Sequence, residues 1–113
     1  DIAADCASWI CMPSYAETNK DVLVKFTKAL YKAMDFASNP DNYDEVAGYV
    51  AQECGTDKES ALAQTGDGAW LDSATLKGYY EVQQKNFIDN GDVESEVPVE
   101  DYVLFDVMEE AGK

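Results

Sequence analysis

Between Asn19 and Cys54, apolar residues return every three or four positions in two stretches separated by Ser38-Asn39-Pro40-Asp41. Leu23, Phe26, Leu30, Met34 and Ala37 form the first stripe, Lys20, Lys25, Lys28 and Lys32 lie off it, and Asn19 is placed to cap its start. The spacing predicts a helix over about 20–37. Pro40 opens the next unit, where Tyr43, Val46, Ala47, Val50, Ala51 and Cys54 repeat the pattern and Gly55 stands at the C′ position. That predicts a second helix over about 41–54. Two such helices cannot bury both stripes on each other and stand alone, so they need a sheet or a further helical layer beneath them.

The run from Ala7 to Met12 is mostly apolar, is bounded by Asp5 and Pro13, and has strand length. It is the one good strand candidate, 7–12. A lone strand leaves its backbone groups unpaired, so the pattern requires partner strands from another part of a larger protein. Downstream, Thr56-Asp57-Lys58-Glu59 matches a capping box, with the Thr56 oxygen taking a free N–H and Glu59 reaching back, which predicts a helix over about 57–64. Thr65-Gly66-Asp67-Gly68 reads as a loop. A helix over 73–89 follows, with Leu76, Tyr80, Gln83, Gln84 and Phe87 on one face and Asn90-Gly91 closing it. Only one of the adjacent Tyr79 and Tyr80 shares that stripe comfortably, which leaves the other for a domain contact. Past an acidic link, Pro98 opens a last helix over 99–111 that carries Tyr102, Val103, Phe105 and Met108. The sum is one strand and about five helices, without an internal repeat.

A chain of 113 residues makes one domain with one modest core. Eight Lys, no Arg and 23 acidic residues give a formal charge of −15. Phosphate backbones and anionic membranes are repelled by such a surface, which excludes nucleic acid as a partner class. The acidic residues read mainly as a solvated surface, since no block reaches the length of an interaction tail. The chain starts at Asp1 and has no apolar run near the length of a membrane helix, as expected of a processed chain or of a piece of a longer one.

Cys6, Cys11 and Cys54 allow one disulfide at most, and no Cys-x-x-Cys is present. On one extended strand, Cys6 and Cys11 would stand roughly 16 Å apart, beyond disulfide reach, although a turn between them would allow pairing. Buried free thiols are the expectation. Without His there is no imidazole base, no Ser-His-Asp or Cys-His arrangement, and no ordinary zinc set. Asp35, Asn39, Asp41, Asp44 and Glu45 lack the spacing of a calcium loop, and Pro40 interrupts them, so they read as helix caps. Gly66 and Gly68 lack the Lys-Ser/Thr of a phosphate loop. An enzyme complete within these residues is not expected, and neither is a metal or a cofactor. Trp9 reads as core packing or as a ligand-facing indole, and Trp70 as an anchor on a helix start or as a ligand platform.

Taken in order, the segment from Pro13 to Phe36 resembles the C-terminal third of the extracytoplasmic solute-binding proteins of ABC transporters in the nitrate, sulfonate, taurine and thiamine-precursor group. Asn19-Lys20-Asp21-Val22-Leu23 stands where that family leaves a strand and enters a long helix, and Asn39-Pro40-Asp41 with Val46-Ala47 stands at its second helix start. Gln83 and Phe87 before Asn90-Gly91, then Val97-Pro98-Val99-Glu100-Asp101-Tyr102, are similar to the family's ending. Lys20 replaces the usual Pro, and the other two thirds of such a protein are absent. The resemblance implies an α/β fold, with this chain as the mostly helical C-terminal part of a two-lobed periplasmic-binding-protein fold of type II. It implies capture of a small solute between the lobes for an ABC importer, a permease as partner, the remainder of the same protein as a second partner, and a periplasmic or cell-surface, possibly lipid-anchored, location. On that warrant Ser8 and Trp9 are the expected ligand contacts, at a strand terminus near the inter-lobe crevice, with Trp70 as a third. The competing expectation is a self-contained acidic helical domain that binds a protein partner through exposed aromatics near Tyr79, without a small-molecule ligand.

Overall fold

The computed structural model describes residues 8–65 and 73–113, and every regular element among them is helical. In chain order these are α1 (Pro13–Thr18), α2 (Lys20–Ser38), a 3-10 turn η1 (Pro40–Asn42), α3 (Tyr43–Cys54), α4 (Lys58–Gln64), α5 (Ser73–Asp89), a second 3-10 turn η2 (Val99–Asp101) and α6 (Phe105–Ala111). The chain divides into two compact units, Asp1–Thr27 with Leu71–Lys113, and Lys28–Trp70, with the boundary inside α2.

The α/β expectation is overturned, because the described residues contain no strand. Residues 8–12 of the expected strand 7–12 are irregular chain, and Trp9, Ile10 and Met12 are 72%, 93% and 71% exposed. Ala7, the first of that span, lies outside the described residues. The physical reason is pairing: a single short apolar run gains nothing from extended geometry unless a ladder satisfies its backbone. Pro13, read above as the stop of a strand, is instead the start of α1. At N1 its missing N–H is harmless, and the Tyr15 and Ala16 amides donate to the Met12 carbonyl at 2.9 and 3.1 Å.

Asn19 sits between α1 and α2 and serves both. Its amide donates to the Tyr15 carbonyl at 2.9 Å, while its own carbonyl accepts from Val22 and Leu23. Its side-chain Nδ2 donates back to Tyr15 O at 3.1 Å and to Thr18 Oγ1 at 2.8 Å, so the side chain closes α1 and the backbone carbonyl alone starts α2. Asn39 plays the start-capping role for η1, its Oδ1 accepting from the Asp41 amide at 3.0 Å. Asn42 Nδ2 donates to the Phe36 carbonyl at 2.9 Å and ties that corner to the end of α2.

The cap of α4 differs from the expected capping box. Asp57, not Thr56, is the N-cap, accepting the Ser60 amide at 2.8 Å and the Ser60 hydroxyl at 2.7 Å. A carboxylate is the stronger acceptor, and those two bonds hold the Asp57 carboxyl below its ordinary pKa. The expected last helix over 99–111 is broken: η2 ends at Asp101 and α6 begins at Phe105. Val99 is buried, and the chain between the two helical pieces is shaped by contacts with α5 described below.

Few of the described side chains are fully buried. Among the described residues, the buried apolar ones are Ala47 and Ala61 in one unit and Val99, Val107 and Ala111 in the other. Helix α2, despite its clear stripe, has no buried residue, and Phe26 on that stripe is 43% exposed.

Gly55 ends α3 at φ +66°, and open space surrounds the position a Cβ would take. Gly55→Ala therefore isolates the left-handed backbone penalty, and urea denaturation is expected to show a loss of roughly 1–2 kcal/mol. An unchanged midpoint would contradict this termination of α3.

Candidate functional site

In the unit Lys28–Trp70, α3 packs against α4 more extensively than any other pair of elements meets. The small side chains of Ala47 and Ala61, 0% and 3% exposed, permit that close approach. Lys58 Nζ lies 2.7 Å from Asp44 Oδ1 and joins the start of α4 to the start of α3. The Thr65 hydroxyl donates to the Ala61 carbonyl at 2.9 Å and finishes α4.

With α3 and α4 so held, a groove forms against the end of α2. Met34, Ala37 and Ser38 supply one side, Val46 and Val50 a second, and Ala61, Gln64 and Thr65 a third. Its volume is about 230 Å³. A dry cavity of roughly 150 Å³ already accepts a benzene ring, so this groove has room for a large apolar side chain. Next to it on α3, the Tyr49 hydroxyl donates to the Glu45 carboxylate, which pushes the phenol pKa above its usual value.

The other unit is organised by a polar side chain. Gln84 on α5 meets the backbone of Val97 in both directions: Oε1 accepts the Val97 amide at 2.8 Å, and Nε2 donates to the Val97 carbonyl at 2.9 Å. Nε2 also donates to the Tyr102 hydroxyl at 3.0 Å. Residue 97 precedes Pro98 and lies in irregular chain, so this side-chain amide takes the place of a neighbouring strand. Around it, Tyr80 and Tyr102 meet edge to face at 5.7 Å, and Lys77 is ion-paired with Glu100. These contacts hold residues 97–102 against α5 and account for the break before α6. Lys20 reaches Asp106 at 2.7 Å and Glu110 at 3.4 Å, tying α2 to α6 within the unit.

The sequence-derived ligand contacts fall as follows. Ser8 Oγ lies 2.7 Å from the Tyr80 hydroxyl, and Trp9 packs edge-on against Phe26 with ring centroids 5.4 Å apart. Trp70 lies outside the described residues. Cys11 and Cys54 are free and exposed, which corrects the expectation of buried thiols, and Cys6 lies outside the described residues. Among the described residues, no group of three or more Cys, Asp or Glu side chains is placed to hold a metal ion, and no helix is long and apolar enough to cross a membrane. Sequence reasoning placed Gln84 on a stripe but missed its pairing with Val97, because a backbone partner 13 residues away leaves no spacing signal.

No family model, curated protein or solved structure matches the chain. The expected solute-binding role in an ABC importer is overturned on architectural grounds. Solute capture between two α/β lobes places the ligand at the carboxyl ends of sheet strands, and the described residues form helices without a sheet. The transport reading falls with the fold that implied it.

Two measurements check this arrangement. Gln84→Ala removes three hydrogen bonds and is expected to destabilise its unit by about 1–3 kcal/mol in chemical denaturation, with Gln84→Glu also destabilising at neutral pH because it sets an acceptor against the Val97 carbonyl. A wild-type stability for both variants contradicts the pairing. The second concerns charge. The Lys20 ammonium holds the Asp106 carboxyl below its ordinary pKa, and Lys77 does the same to Glu100. A depressed carboxylate adds stability that is fully present above its unfolded pKa, near 4, and is lost as pH falls through the lower folded value. NMR titration should place both midpoints below the ordinary values, and Lys20→Gln and Lys77→Gln should raise those of Asp106 and Glu100 respectively. Midpoints insensitive to the Lys substitutions contradict these pairs.

Proposed function

We propose that this chain is an acidic helical protein-interaction domain, a binding module rather than an enzyme. The observation that carries the reading is the mismatch between apolar side chains present and apolar side chains buried. No large side chain among the described residues is fully buried, while Trp9, Ile10, Met12, Tyr49, Val82 and Phe87 are among those about half exposed or more. Scattered single apolar residues on a surface need no explanation, but contiguous ones mark interaction sites. Here Val22 and Phe26, one turn apart on α2, expose a shared face, and Val82 and Phe87 expose two different sides of α5.

Amphipathic helices bury their stripes against something, and most helical stability comes from that burial rather than from propensity. A partner polypeptide laid on these faces supplies the missing layer. The acidic surface keeps the free domain soluble and biases it towards partners of opposite charge.

Site-specific photo-crosslinking in the cells that make the protein tests this. A photoreactive residue is placed in turn at Tyr49, Val82 and Phe87. A discrete adduct containing a second polypeptide is expected from at least one position. Absence of any polypeptide adduct from all three overturns the proposal.

A further inference from the structure

Resting on the interaction reading above, we infer that the groove between the end of α2, α3 and α4 is the docking site, and that its occupant is a basic amphipathic helix of another protein. The groove floor and walls are carbon-rich: Met34, Ala37, Val46, Val50 and Ala61. Val50 is 38% exposed at its edge, one turn from Val46 on the same face of α3. The groove takes one large apolar anchor, and exposed Val50 meets a second one turn along, the way a helix presents them to a groove.

Charge decides between occupants. Helix α3 carries no basic residue; Asp44 is paired with Lys58 and Glu45 with the Tyr49 hydroxyl, which leaves Glu53 as its carboxylate for the groove. Helical period sets Glu53 on the same side of α3 as Val46 and Val50, within roughly 60° of both. Lys58, the basic residue of α4, is already engaged by Asp44. Lys28 and Lys32 on α2 lie roughly 120–160° around that helix from Met34, away from the groove wall. The groove is thus apolar inside, with the Glu53 carboxylate at its α3 rim. A second copy of the chain, itself at −15, would bring like charge to that rim, so self-association is disfavoured. A Lys- or Arg-rich helix with one apolar face satisfies both the floor and the rim, the charged groups guiding encounter and the anchors slowing release.

The test uses the full 113-residue chain, isotopically labelled for NMR, and a synthetic helical peptide of Leu and Lys with Leu at positions i, i+3, i+4 and i+7. Two controls accompany it: the same peptide with Glu for Lys, and a scrambled peptide of equal composition. The Leu/Lys helix is expected to bind, to weaken as salt rises, and to shift the resonances of Met34, Ala37, Val46, Val50 and Ala61. Val50→Lys should weaken binding about tenfold or more and Val50→Thr, a milder change that keeps the fold, a few-fold; Glu53→Lys should weaken it several-fold. Equal binding by the scrambled or the Glu peptide, insensitivity to the Val50 variants, or shifts confined to residues 73–113 overturn the groove assignment. Polypeptide crosslinks from Val82 or Phe87 that survive Val50→Lys would leave the interaction reading standing while the groove fails. Loss of every crosslink in the unsubstituted chain removes both.

Discussion

The helices of this chain are built with more apolar stripe than their own packing covers, and that constraint governs the rest of the structure. Helix α2 presents Leu23, Phe26, Leu30, Met34 and Ala37 along one side, yet buries none of them fully. The closest packing is made by small residues, Ala47 and Ala61, which let α3 and α4 approach and leave the larger Val46 and Val50 at the edge. A core of alanines contributes little transfer free energy, since burial scales with apolar area. What the small residues provide instead is geometry, a close helix pair with a groove beside it.

Polar groups do the positioning that a larger core would otherwise do. Gln84 pairs with the backbone of Val97, Asn39 and Asn42 shape the corner after α2, and Asp57 starts α4. The ion pairs of Lys20 and Lys77 lie at the surface, where such contacts contribute modestly and weaken with salt. With a formal charge of −15, each Lys also offsets repulsion among neighbouring carboxylates.

Periodicity along the chain carried the helical stripes of α2 and α3 and the glycine at the end of α3, because these depend on residues within a few positions of one another. Three other features were not legible there. The run Trp9 to Met12 has strand composition, but strand formation depends on a partner that local sequence cannot supply. Pro13 reads equally as the end of a strand or as N1 of a helix, and the Met12 carbonyl contacts decide it. The break between η2 and α6 follows from Gln84, 13 residues upstream of Val97, a tertiary contact without a periodic signature. For the candidate site, the apolar positions Val46 and Val50 belonged to a visible stripe, but that they line a groove rather than a core depends on how small Ala47 and Ala61 are. The solute-binding reading failed because ordered short motifs that fit a helix start fit many helix starts, and the sheet they were taken to border is absent from the described residues.

The described residues bury little apolar surface for the length of the chain. Differential scanning calorimetry measures that burial directly through the heat-capacity change of unfolding, which for ordinary globular proteins is roughly 12–15 cal/mol/K per residue. For the free chain, a cooperative transition is expected with a value clearly below that range. A value within or above it would show a full apolar core and contradict this low burial.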